Sequence, residues 1–123
     1  MRATTRARRE LGAVTAEAAV VLPVIVVFTV AMAWLVCVGL AQLRALDAAR
    51  EVARAAARSE ATGTAVALGR RVAPDGSRVS VREEQDAVVA TVVSPVRGPG
   101  GLLAHLGTVH VTASAVSARE PGQ

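Results

Sequence analysis

The 123 residues carry 52% hydrophobic and 20% charged side chains, too apolar for a disordered tail and too short for two ordinary domains. Aromatic residues make up 2% of the chain, Phe28 and Trp34 inside one apolar run, so the rest lacks the rings on which nucleic-acid bases or sugars stack. The formal charge of +4 sits mostly in residues 1–12, where Arg2, Arg6, Arg8 and Arg9 outweigh Glu10; all fourteen basic residues are arginine, so the high isoelectric point partly reflects arginine's pKa, and the nearly neutral remainder argues against a nucleic-acid partner held by phosphate contacts.

After the basic leader, residues 18–43 contain no charge. As a helix, these 26 residues extend roughly 39 Å against a hydrocarbon core of about 30 Å, enough for one transmembrane span. A secretory signal has a shorter apolar core, and the small-residue pattern Ala31-Met32-Ala33 falls in the middle of the run, so release by signal peptidase is the weaker reading. The arginines before the span place the amino terminus in the cytoplasm and everything after about residue 44 outside. Glu17 stands alone among apolar residues that begin at Leu11. A carboxylate there is either functional or a headgroup-level charge at the first turn of the span. Pro23 removes a backbone donor within the run, which membrane helices tolerate, and is read either as a flexible point or as an ordinary membrane-helix proline. Cys37, the only cysteine, reads as plain lining of the span; no intramolecular disulfide or cysteine metal site can form.

The helix is expected to continue through residues 44–60, with Leu46, Ala49, Val52, Ala53, Ala56 and Ala57 on one face and Asp47, Arg50, Arg54 and Arg58 on the other. Ala45, Ala49, Ala53 and Ala57 recur every fourth residue, a ridge that lets a helix or sheet approach closely. A break at 59–64 precedes a short helix over 65–72, and Pro74-Asp75-Gly76-Ser77 forms a turn. Strict alternation makes 78–83 a strand, and 84–86 turns the chain into a second, more buried strand over 87–93; 95–101, with two prolines and three glycines, is a loop. Leu102, Leu103 and Leu106 form a brief helical turn, 108–118 a third strand, and 119–123 a flexible tail.

These elements predict an α+β fold: a long amino-terminal transmembrane helix, then a small domain (61–118) with a short helix and an antiparallel sheet of about three strands. Catalytic chemistry finds no converging groups, since His105 and His110 lack the one-face spacing of a helical metal pair and no phosphate-binding loop is present. The chain is therefore expected to have no catalytic residue, metal, cofactor or small-molecule substrate.

A basic leader ending in Gly12, followed by Ala13-Val14-Thr15-Ala16-Glu17 and the apolar helix, resembles the processing site of type IV prepilins. The resemblance implies cleavage after Gly12 by a prepilin peptidase on the cytoplasmic face, Ala13 as the new amino terminus, and Glu17 as the acid that guides assembly. The stretch Thr15-Ala16-Glu17-Ala18-Ala19-Val20-Val21-Leu22-Pro23 and the later Asp47-Ala48-Ala49-Arg50-Glu51-Val52-Ala53-Arg54 are similar to the TadE-like family, minor pilin-like proteins of the tight-adherence (Tad, Flp) pilus, in its actinobacterial branch. Major Flp pilins commonly place an aromatic residue after the glutamate, where this chain has Ala18, which favours a minor subunit. The likeness covers residues 11 to about 60 well and the rest in outline. It implies a domain order of leader (1–12), long helix (13–60), exported domain (61–118) and tail. The implied partners are a prepilin peptidase, a major Flp pilin and the other Tad assembly components in the membrane, with adhesion as the outcome. The rival is an uncleaved single-pass membrane protein whose exported domain binds another envelope partner.

Overall fold

The computed structural model describes residues 2–58, 61–100, 104–105 and 107–119. Helix α1 spans Arg2–Ala57, helix α2 spans Thr62–Val72, and strands β1 (Arg78–Glu83), β2 (Ala87–Arg97) and β3 (Thr108–Ala118) follow. The strands form one antiparallel sheet in the order β1-β2-β3, so the architecture is the expected α+β one. The chain divides into two units, Met1–Trp34 and Leu35–Gln123.

The first unit is helix alone. Its large apolar side chains stand in the open: Val20 is 70% exposed, Phe28 63% and Ile25 53%. Among the described residues, α1 is the one helix long and apolar enough to cross a membrane. Two hydroxyls in it are satisfied internally, because Thr15 Oγ1 donates to the Leu11 carbonyl at 2.9 Å and Thr29 Oγ1 to that of Ile25 at 2.8 Å. Such back-bonding lets a polar side chain sit in an apolar setting without an unpaired donor.

The second unit packs the last turns of α1, together with α2, on one face of the sheet. Its core is built from alanine and valine. Ala45, Ala48, Ala49, Val52 and Ala55 of α1 are fully buried and meet Val88, Ala90 and Val92 of the central strand. The expected helix face needs adjustment, since Ala48 and Ala55 belong to it and Leu46 is only partly buried. Where α2 crosses α1, Gly69 lies so close to Val52 that an added methyl would overlap the valine side chain.

The boundaries depart from the sequence expectation in three places. Helix α1 ends at Ala57, with Arg58 in a turn, and α2 begins at Thr62 instead of Ala65. Strand β2 continues through Pro95 to Arg97, where a loop was expected. Proline is tolerated there because β1 ends at the Arg78↔Val93 pair, so the 95–97 stretch has a neighbour, β3, on one side only. The turn before β1 forms as expected: Gly76 adopts φ +76° and Ser77 N–H donates to the Pro74 carbonyl at 3.2 Å. Gly76 also sits beneath the Pro95 ring, a second reason for a residue without a side chain. The expected turn of Leu102, Leu103 and Leu106, and residues 120–123 of the expected tail, lie outside the described residues.

Polar side chains tie the sheet's ends. Ser94 is fully buried, with its hydroxyl 2.6 Å from that of Ser77, which in turn bonds the Pro74 carbonyl. The single Ser77 proton goes to that carbonyl, so Ser94 donates to Ser77. At the opposite end Arg119 pairs with Glu83 at 2.9 Å, and its N–H donates to the Asp86 carbonyl.

Candidate functional site

Gly12, Ala13, Glu17 and Pro23 all lie on the exposed, continuous helix of the first unit. Ala13 and Glu17 are four residues apart and share a face one turn apart, whereas Pro23 falls on another face. A side chain added at Gly12 would meet nothing within 4 Å, so no packing in this unit demands glycine there. Glu17 makes no hydrogen bond or ion pair among the described residues. A carboxylate placed among open apolar side chains is costly to move out of water without a cationic or hydrogen-bonding partner. Pro23 sits inside the helix and leaves the Ala19 carbonyl without its usual donor four residues on. The structure thus sets the four residues on one helix but brings no second group to Glu17.

The second unit holds features that the sequence reading missed. Gln42, counted as the tail of the apolar run, donates from Nε2 to the Thr112 carbonyl of β3 at 3.1 Å. Between α1 and the end of β3 lies a cleft of about 430 Å³, walled by Asp47, Arg50, Ala53 and Arg54 on the helix and by Ala115, Val116 and Ser117 on the strand. The helix charges form exposed i, i+3 pairs, Arg50 with Asp47 at 3.7 Å and Arg54 with Glu51 at 3.4 Å. In the sequence they read as a solvated helix face; their shared position beside β3 depends on a contact between residues more than sixty positions apart, which no local pattern encodes.

His105 lies in a short turn and His110 on β3, both exposed. Among the described residues, no three His, Cys, Asp or Glu side chains converge as a metal site. Cys37 is exposed on α1.

No protein-family model matches this chain, and no solved structure matches it. Among curated proteins the chain is similar to the apoptosis inhibitor Rv3655c of Mycobacterium tuberculosis, at 39% identity over 84 residues that make up 66% of this chain and 58% of that protein. The chain therefore spans little more than half the length of this relative.

Proposed function

We propose that this chain is a membrane-anchored structural subunit, a TadE-like minor pilin of a tight-adherence pilus, processed after Gly12. The observation that carries the reading is the order of residues on one helix: arginines, Gly12, Ala13, a lone Glu17 one turn later, then an exposed apolar stretch. Cleavage after Gly12 would create a free α-amino group at Ala13, on the same face as Glu17. When subunits enter a filament, the carboxylate of one can meet the ammonium of its neighbour, which offsets the cost of desolvating both and sets the axial stagger. Before assembly the apolar helix holds the subunit in the membrane, with the arginines on the cytoplasmic side and the sheet domain outside. Because Gln42 bonds to the sheet, the bilayer-spanning stretch ends before it; about 20 residues suffice for a span, and the stretch from Ala18 to the residues just short of Gln42 supplies them. A prepilin peptidase, a major Flp pilin and the Tad assembly platform are the partners this reading implies.

Amino-terminal sequencing of the protein recovered from membranes of its own host tests it. A chain that begins at Ala13, and fails to be cut when Gly12 is changed to Leu, is the expected result. A chain that keeps Met1 or Arg2 sinks the pilin reading and leaves an uncleaved, membrane-anchored domain that binds another envelope partner.

A further inference from the structure

We propose that the end of the sheet domain nearest the apolar stretch of α1 is a binding surface for anionic lipid headgroups, whose phosphates are taken by the guanidinium groups of Arg44, Arg70, Arg71 and Arg78. The inference rests on the membrane-anchored reading and not on processing at Gly12, so cleavage does not decide it.

The second unit has two distinct ends. The part of α1 that belongs to it begins at Leu35, and Gln42 of that part bonds the Thr112 carbonyl. Thr112 pairs with Val93 in the ladder and Val93 with Arg78, so Arg78 stands in the sheet row that meets Gln42. Helix α2 starts at the opposite end, where Thr62 Oγ1 approaches Glu83, and leads into the turn whose Gly76 lies beneath Pro95. Its last turn, with Arg70 and Arg71, therefore comes to the end that Gln42 marks, and Arg44 follows Gln42 on α1.

Charge is unevenly divided between these ends. At the far end Glu83, Glu84 and Asp86 balance Arg58, Arg82 and Arg119, and midway Asp47 and Glu51 pair with Arg50 and Arg54. At the near end the four exposed arginines meet one carboxylate, Asp75, and none of these five forms an ion pair among the described residues. Guanidinium forks gathered at one surface suit phosphate oxygens, which each can hold through two parallel hydrogen bonds.

The apolar face at the same end favours a lipid surface over a soluble phosphate compound. Leu35, Val36, Leu40 and Leu43 are each more than half exposed, although Gln42 among them is already joined to the sheet, and from Arg44 onward the exposed face of the helix is charged. Hydrocarbon that covers these side chains brings its headgroup layer, about 5–7 Å deep, to the end that holds Arg44 and Arg78. Long arginine side chains can lie along apolar surface and place their charge in that layer. Arg70, Arg71 and Arg78 are remote from the apolar stretch in sequence, and the fold alone brings them to this end.

The test uses the full chain with Cys37→Ser, one copy per lipid nanodisc, and a fluorophore on a single new cysteine at Thr108, at the near end, or at Gln85, at the far end. Quenching by lipid that carries a nitroxide on its headgroup reads contact with the surface. Replacing phosphatidylcholine by a mixture rich in phosphatidylglycerol should raise the ratio of docked to free sheet domain, read at Thr108, at least fivefold, since one basic residue near an anionic surface is worth about that factor. Gln85 should not respond. The variant Arg44→Gln, Arg70→Gln, Arg71→Gln, Arg78→Gln should lose the gain while amide exchange across β2 stays the same, and salt at about 1 M should abolish it in the chain with its arginines intact. No gain with the anionic lipid, an equal gain at Gln85, or a gain indifferent to salt and to the arginines overturns the proposal. So does a gain seen only in discs with two copies, which makes a second copy the occupant. A chain that does not enter the discs overturns the anchored reading as well.

Discussion

The two halves of α1 follow opposite rules. Upstream, Val20, Leu22, Ile25 and Phe28 are large, apolar and exposed; downstream, Ala45, Ala48, Ala49 and Ala55 are small and fully buried. In a protein folded by water alone the larger side chains would be inside, because each buried apolar area contributes in proportion to its size. The inversion is what a helix long and apolar enough to cross a membrane would show where it continues into a packed domain. The upstream half is suited to lipid, where bulk needs no protein cover, and the downstream half is shaved to alanine so that its backbone can lie close to a sheet.

The sharpest way to break this contrast is to give both halves the same substitution. Ala49→Leu forces a larger side chain into a site with no accessible surface and should destabilise the sheet domain by about 3 kcal/mol. Ala19→Leu, on the exposed half, should change the same quantity by no more than about 0.5 kcal/mol. Amide exchange across β2, in the full chain held in detergent micelles, reads both variants. Equal effects would mean that the downstream face is not packed as described.

Gly69→Ala tests the closeness of the second contact on that face. The added methyl overlaps Val52, a cost of about 2 kcal/mol, while alanine's better helix propensity returns about 1 kcal/mol within α2. A net loss of roughly 1 kcal/mol is expected. Combining it with Val52→Ala should cost less than the sum of the two single changes, because the truncated side chain vacates the space the methyl needs. Strict additivity would show that the two residues do not meet.

Local patterns carried most of the fold. The charge-free run marked the exposed helix, alternation marked β1 and β3, and Pro74 with Gly76 marked the turn between α2 and β1. What failed depended on distant partners. Pro95 read as a loop residue because proline lacks an N–H, yet whether a strand tolerates it depends on whether a neighbour lies on both sides, which is a property of sheet order. Gln42 read as part of the span, since nothing around it in sequence points to Thr112. The residues of the candidate processing site were legible for the converse reason: their order along one helix is itself the signal. The cleft at Arg50 and Arg54 was not, because one wall comes from a helix and the other from the last strand.

The buried hydroxyl pair separates packing from hydrogen bonding within the alanine–valine core. Ser94→Ala removes one partner but leaves Ser77 bonded to the Pro74 carbonyl, so no buried donor is stranded. The loss should stay near 1 kcal/mol, below the overpacking variant on the facing helix. Chemical denaturation of the full chain in micelles, followed by circular dichroism, measures it. A loss several times larger would mean that the bond holds the Pro74–Ser77 turn in place as well as satisfying a hydroxyl.

The smallest effect belongs to the other end of the sheet, where Arg119 bridges to Glu83 and Thr62 Oγ1 approaches the same carboxylate at 3.5 Å. Both charged side chains remain substantially exposed, 37% and 54%, so water screens the pair and competes for its hydrogen bonds. Glu83→Gln should cost at most about 0.5 kcal/mol, and that loss should shrink further in 1 M salt. The pair would then serve to keep the end of β3 beside the β1–β2 turn, a role shared with the Arg119 N–H bond to Asp86 that the substitution leaves intact. Exchange rates at residues 116–118 are the discriminating readout: faster exchange there with unchanged protection at Val88–Val92 means the ion pair acts locally on the strand end, whereas a uniform rise along all three strands would make it a global contributor and would remove the contrast between a sheet held by its apolar face and one held by its rim.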